Sequence, residues 1–265
     1  KVTSVEKKER SRKPQAPFIT SRLQQDASRK LGFSAKKTMA LAQHLYEGVD
    51  LGDLGTHGLI TYMRTDSVRI TPEAITELRQ YILNTYGESY LPAEPNVYKT
   101  KKSAQDAHEA IRPTSLEFSP DKIEPFVERD EFRLYQLIWN RFVACQMNPA
   151  IYDQTSMSLE TKSSDSRNIL LKLTGSVIKF PGFTAVYEES KDEDTKRNSD
   201  QGDDQSDEAE NTNNDLPDLS KDQIFSPNEY LPNQHFTQPP PRYTDASIIK
   251  DLEEKGIGRP STYAA

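Results

Sequence analysis

Cysteine is almost missing from these 265 residues. Cys145 stands alone, which excludes an internal disulfide and any cysteine-rich zinc site. Long apolar runs are missing too. No stretch approaches the roughly 20 residues that a membrane-crossing helix needs. Positions 1–13 are basic and polar, without the apolar centre of a secretory signal. Repeats are absent, and histidine is scarce, with 4 residues. Hydrophobic residues make up 34% of the chain and charged ones 28%, a polar balance that still permits a packed core. Together these shortages predict a soluble cytoplasmic protein with no membrane partner.

What is present is charge, unevenly spread. The net charge is −7, but residues 188–222 hold 14 acidic against 4 basic side chains, a local balance near −10. The rest is therefore about +3, and residues 1–37 alone are near +8, with 11 basic and 3 acidic residues. A basic surface beside a separable acidic segment suits a nucleic-acid partner. The segment from 188 to about 218 has almost no aliphatic residues to offset ordering entropy, and is read as a mobile loop.

Residues 155–161 and 168–174 read as strands, with a further run at 177–180 after Gly175 and a weaker signal at Val2 and Val5. Between 17 and 147 the apolar period becomes helical. Thr20 or Ser21 is placed to cap a helix ending at Gly32. Ser34 is placed to cap a second, with Met39, Ala42, Leu45 and Tyr46 on its inner face and Gly48 as its stop. The short connection between these two predicts a helix-turn-helix. Thr71-Pro72-Glu73 opens a third helix, residues 130–147 form another, and Thr244 or Asp245 caps a last one that stops at Gly256. Strands, helices and strands again predict an α+β chain in which a helical domain interrupts a β domain discontinuous in sequence.

Three clusters carry candidate chemistry. The first is Gly58-Leu59-Ile60-Thr61-Tyr62-Met63-Arg64-Thr65-Asp66-Ser67. Read as a strand, its alternation sends Ile60, Tyr62, Arg64 and Asp66 to one side. A phenol beside a guanidinium suits a phosphate: the arginine binds non-bridging oxygens while the tyrosine supplies a nucleophile. The second, Gln105-Asp106-Ala107-His108-Glu109-Ala110-Ile111-Arg112-Pro113, offers a histidine with a carboxylate neighbour, and its proline closes any helix there. The third, residues 255–263, brings Gly256, Gly258, Arg259, Ser261 and Thr262 into a turn suited to holding phosphate. It lacks the spacing of a P-loop. Each cluster alone has a plainer reading as packing or solvated surface.

In this order the three resemble the bacterial type IA DNA topoisomerases, and residues 17–33, 134–147 and 236–243 extend the likeness over nearly the whole chain. The resemblance implies that Tyr62 is the nucleophile, ending joined to a 5′ phosphate, and that Arg64 steadies it and the scissile phosphate. It implies that His108 contacts the phosphate, that Asp66 pairs with His108, and that Arg112, Arg259, Ser261 and Thr262 contact DNA. The implied partners are single-stranded and negatively supercoiled DNA and a TOPRIM domain, nothing like which occurs here. Mg2+ would be held by that domain, with no metal ligand in this chain. The implied division is a β arch at 1–17 and 148–243, a tyrosine-bearing helical domain at 18–147, and the start of a further helical domain at 244–265. The chain would then be an excised portion of the enzyme, inactive in relaxation by itself. The competing reading is a non-catalytic winged-helix-like DNA-binding module, built on the helix pair and the extended run at 59–65.

Overall fold

The computed structural model describes residues 1–99, 108–162, 167–188, 216, 219–226, 234, 236 and 239–264. Most of the acidic segment read as a loop lies outside the described residues, as do residues 105–107 of the second cluster. The chain is α+β, with antiparallel sheets and six α-helices among the described residues. It forms two compact units: residues 1–12, 149–181 and 191–241, and residues 13–148, 182–190 and 242–265.

The first unit is built on three antiparallel strands, β1 (Val2–Arg12), β2 (Ala150–Lys162) and β3 (Asn168–Phe180), with β2 in the middle. Val5 faces Met157 across one ladder, and Met157 faces Leu173 across the other. The strand expected to pause at Gly175 runs through it, because Gly175 keeps its place opposite Thr155. Few side chains of this sheet are buried. Val2, Ala150, Tyr152, Met157 and Ser176 are covered, while Leu170, Leu171 and Val177 of β3 stand in solvent. Residues 220–223 close over the start of β1, with Val2 N–H donating to the Gln223 carbonyl and Lys1 paired to Asp222 at 2.7 Å.

The second unit holds α1 (Thr20–Leu31), α2 (Ala35–Glu47), α3 (Pro72–Tyr86), α4 (Pro120–Ile123), α5 (Arg129–Cys145) and α6 (Asp245–Glu254). Ser34, Thr71 and Thr244 cap as their sequence positions suggest, each accepting a backbone N–H near the helix start. The start of α1 differs from expectation. Its N-cap is Ile19, which gives no side-chain bond, and Thr20 is already inside the helix, where its hydroxyl serves another purpose. Gly32 ends α1 in the left-handed region, at φ 71°. The fourth predicted helix starts one residue early, behind a capping box of Glu128 and Glu131, and ends at Cys145.

α5 carries the densest core. Leu134, Tyr135, Ile138, Phe142, Val143 and Cys145 are buried, and Trp139 packs its ring 6.1 Å from that of Tyr135. Burial pushes the Cys145 thiol up to about 12, against smaller opposing effects of Arg141 and Gln146. The Tyr135 phenol is likewise pushed well above its usual value by desolvation. Buried Arg141 ties α5 to the chain ahead of α1, donating to the Ala16 carbonyl (2.7 Å) and to Gln15 Oε1 (2.8 Å), with its guanidinium over the Phe18 ring. α6 joins α1 in the same unit. Ala246 and Ile249 are buried, and Asp245 accepts from Ala35 N–H at 3.1 Å.

Candidate active site

The backbone around Tyr62 is fixed from two sides. On one, Thr20 in the first turn of α1 donates its hydroxyl proton to the Met63 carbonyl (2.7 Å) and accepts from Thr65 N–H (2.8 Å). Thr20 N–H also donates to the Thr65 carbonyl at 3.0 Å. On the other side, Thr61 N–H donates to the Arg112 carbonyl (2.9 Å), and the Thr61 hydroxyl donates to the Ala110 carbonyl (2.7 Å) while accepting from Arg112 N–H (3.0 Å). Thr20, Met63 and Thr65 are buried, so these bonds are shielded from water. The residues before and after Tyr62 are therefore both anchored, and Tyr62 is the outward step between them.

This is not the strand the alternation suggested. Ile60 makes a single bridge to Pro113, and from Thr61 to Ile70 the backbone is irregular. Ile60 is buried, whereas Tyr62 is 43% exposed and Arg64 is also exposed, with Asp66 intermediate. The physical reason is that polar backbone groups of the segment are satisfied by side chains: Thr20 takes the Met63 carbonyl and the Thr65 N–H, Thr65 the Ser67 N–H, and Ser67 the Arg69 N–H, so no continuous ladder is needed. The described part of the second cluster, residues 108–113, is non-helical too. Ile111 bridges Phe18, and Ala110 N–H donates to the Arg69 carbonyl.

Two rings flank Tyr62. The His108 ring lies 6.1 Å away, inclined at 64°, and the Tyr46 ring 5.4 Å away, inclined at 65°. Both are edge-on arrangements, which suit the positive rim of one ring against the face of another. The arrangement can offer an accessible phenol beside an imidazole, with Arg64 two residues along on the same exposed run. Asp66 has no hydrogen bond or ion pair to His108 among the described residues. Arg112 is turned to local work. Its guanidinium pairs with Glu109 through Nε (3.0 Å) and Nη2 (2.8 Å), and Nη1 donates to the Pro113 carbonyl.

The third cluster makes its own turn. Arg259 N–H donates to Thr262 Oγ1 at 2.9 Å, and that hydroxyl donates back to the Arg259 carbonyl at 3.1 Å. Arg259 and Ser261 are exposed and Thr262 is exposed beside them, with Gly258 at φ 82° against the Tyr263 ring. The geometry brings Tyr62 and His108 together and leaves this turn as a separate structure. Among the described residues, no three His, Cys, Asp or Glu side chains gather in a group that could hold a metal ion. Of the other histidines, His44 pairs with Glu131 at 2.6 Å and His57 bonds the Leu54 carbonyl.

Three participants were not legible from the sequence. In the sequence, Thr20 reads as a cap candidate and Tyr46 as an inner-face residue of α2, and Thr61 is assigned no role of its own. Tyr46 is 41% exposed, because it sits in the last turn of α2, where the core beside Leu45 has run out. The one available signal was its phenol at a helix end, a polar tip that favours a wet boundary.

A family model described as DNA topoisomerase matches residues 1–265. A protein of Rickettsia felis named DNA topoisomerase 1 is 52% identical over all of this chain, which spans 32% of that relative. A protein of the same name from Xylella fastidiosa is 49% identical, again over the whole chain and 31% of the relative. The chain thus covers about a third of the length of these curated relatives. Among solved structures, full-length topoisomerase I from Thermotoga maritima matches 99% of this chain and 39% of its own, at 34% identity and a TM-score of 0.75.

Proposed function

The chain belongs to the DNA topoisomerase family, and from that premise we propose that Tyr62 is the nucleophile of a type IA enzyme. The observation carrying this is the exposed phenol of Tyr62, set on a backbone anchored at Thr61 and Met63 and flanked by the His108 ring. Tyr62 Oη would form a bond to the phosphorus of a DNA phosphodiester while the bond from phosphorus to the 3′ oxygen breaks. The phenol gives up its proton and the departing 3′ oxygen gains one, leaving a 5′-phosphotyrosine and a free 3′ hydroxyl. The exchange keeps one phosphodiester bond throughout, so the reverse step reseals the strand without ATP. Between the two steps a second strand passes through the gap and negative supercoils relax.

In this reading Arg64 binds the non-bridging oxygens and offsets the charge that develops on them. His108 donates a hydrogen bond to the same phosphate, and Asp66 moves to pair with His108 once DNA is bound. Arg259, Ser261 and Thr262 hold the strand's backbone, and Arg112, through Glu109, braces the loop that carries His108. The helix pair α1–α2 is a helix-turn-helix, the sheet is part of an arch divided as 1–17 and 148–243, and residues 244–265 open a further helical domain. Single-stranded and negatively supercoiled DNA are the substrates. The magnesium requirement and the TOPRIM domain belong to parts of the enzyme outside this chain, and the cytoplasm is its place of action.

A relaxation assay tests the reading. The protein encoded by the full open reading frame should relax a negatively supercoiled plasmid with Mg2+ and without ATP, and its Tyr62→Phe variant should not. The 265-residue chain alone should bind a single-stranded oligonucleotide weakly and relax nothing. Robust relaxation by the chain alone, or wild-type activity of Tyr62→Phe, would contradict the proposal.

A further inference from the structure

The chemistry so far assigned to Tyr62 draws on its own segment and that of His108, yet the nearer of the two rings beside Tyr62 belongs to neither. Tyr46 comes from the last turn of α2, and its ring centre is 5.4 Å from that of Tyr62, closer than His108 at 6.1 Å. The two neighbours meet the Tyr62 ring at similar inclinations, 65° and 64°. Tyr46 is only partly covered, so packing into the core does not account for its position.

The backbone shows that this neighbour is held in place. Leu59 N–H donates to the Leu45 carbonyl at 2.7 Å, which ties the run leading to Tyr62 to the end of α2. One residue earlier, Gly58 lies so close that a β-carbon there would meet the Tyr46 carbonyl oxygen at 2.6 Å. That approach is open only to glycine. The Thr114 hydroxyl then donates to the Gly58 carbonyl at 2.7 Å and closes the junction from outside. The helix end and the nucleophile's segment are thus joined through Leu45, Gly58 and Leu59, and Tyr46 has a fixed place beside Tyr62.

We infer that Tyr46 is a positioning residue for Tyr62. Its ring edge limits the rotamers of the Tyr62 side chain, so that the hydroxyl is presented to the phosphate in one direction. This inference rests on the reading of Tyr62 as the nucleophile. The action is through the ring and not through the Tyr46 hydroxyl, because an edge-on ring contact needs no polar group. A near-attack geometry that is held in advance raises the rate of the chemical step and leaves binding of the strand alone.

The test is single-turnover cleavage of an end-labelled single-stranded oligonucleotide by the full open reading frame, alongside its equilibrium affinity for the same strand. Tyr46→Ala should slow cleavage about two- to thirteenfold, the range spanned by one aromatic pair contact, with affinity unchanged. Tyr46→Phe should restore the wild-type rate. Should Tyr46→Ala weaken affinity and leave the rate at saturating DNA unchanged, Tyr46 would be a stacking surface for a base and the inference is overturned. It is equally overturned if Tyr46→Phe is as slow as Tyr46→Ala, or if Tyr46→Ala cleaves at the wild-type rate. Tyr62→Phe in the same assay separates the two levels. If it abolishes cleavage while Tyr46→Ala does nothing, only the positioning role is lost. If it cleaves normally, the reading of Tyr62 itself is wrong.

Discussion

Thr20 uses one hydroxyl to hold two backbone groups of the segment that carries Tyr62, the Met63 carbonyl and the Thr65 N–H. Thr20→Val keeps the shape and removes both bonds, leaving two buried polar groups unsatisfied. The expected loss of stability is about 2–6 kcal/mol, one desolvation penalty for each group, read as a drop in the urea midpoint, and Thr20→Ser should recover most of it. Cys145 gives a second residue-scale expectation. Burial raises its thiol from an ordinary 9.0 to about 12, so the unfolded chain ionises first as the medium becomes alkaline. The unfolded state then binds fewer protons than the folded one, and stability falls as pH rises from about 9 towards 12. Urea midpoints at pH 8 and pH 10 should diverge more for the wild-type chain than for Cys145→Ala. The same burial should leave the native thiol inert to alkylating reagents at pH 8, and rapid labelling without unfolding would contradict it.

At the scale of elements, the helices that announce themselves by a cap and a stop were readable. Ser34 and Gly48 bound α2, Thr71 and Gly87 bound α3, and Thr244 opens α6, since each pairs a side-chain acceptor with a conformationally free residue at the opposite end or nearby. The candidate site was readable as residue types and not as geometry. Tyr62 stands open and close to His108, but the run from Thr61 to Asp66 is irregular, because hydroxyls of Thr20 and Thr65 take backbone groups there in place of the ladder that alternation implied. A threonine that bonds to a backbone 45 residues away looks the same in sequence as one that caps its own helix. The Arg112–Glu109 pair was hidden for a similar reason. A spacing of three brings two such residues together on a helix, whereas here the pair forms on a non-helical backbone. Gly58 tests the junction between α2 and the tyrosine segment. Gly58→Ala forces a β-carbon against the Tyr46 carbonyl, so the segment must shift, and the Tyr46–Tyr62 ring contact should be lost. The expected signature is a fall in cleavage rate at least as large as that of Tyr46→Ala. An unchanged rate would mean that the junction does not set the position of Tyr62.

At the scale of the whole molecule, the chain covers about a third of its curated relatives, and its charge is divided between a basic beginning and an acidic stretch. A basic surface that engages a single strand releases counterions, so the affinity of the chain for an oligonucleotide should fall steeply with added salt. If three to five phosphates are engaged, the slope of log affinity against log salt is about −2 to −3.5. A slope near zero would point to contacts other than the backbone phosphates. The change from period two to helical period and back was legible, because it is a property of the local sequence. The joining of Tyr46, Tyr62 and His108 was not, because it depends on contacts between residues far apart in the chain.

The central claim is that Tyr62 attacks a DNA phosphodiester and keeps the 5′ phosphate. The most direct measurement is to trap the protein from the full open reading frame on a 3′-labelled single strand, digest it, and locate the attached nucleotide by mass spectrometry. The expected result is a label on the peptide containing Tyr62, joined through the phenol oxygen, and none on the Tyr62→Phe protein. A nucleotide on any other residue, or transfer of a label placed at the 5′ end instead, would contradict it.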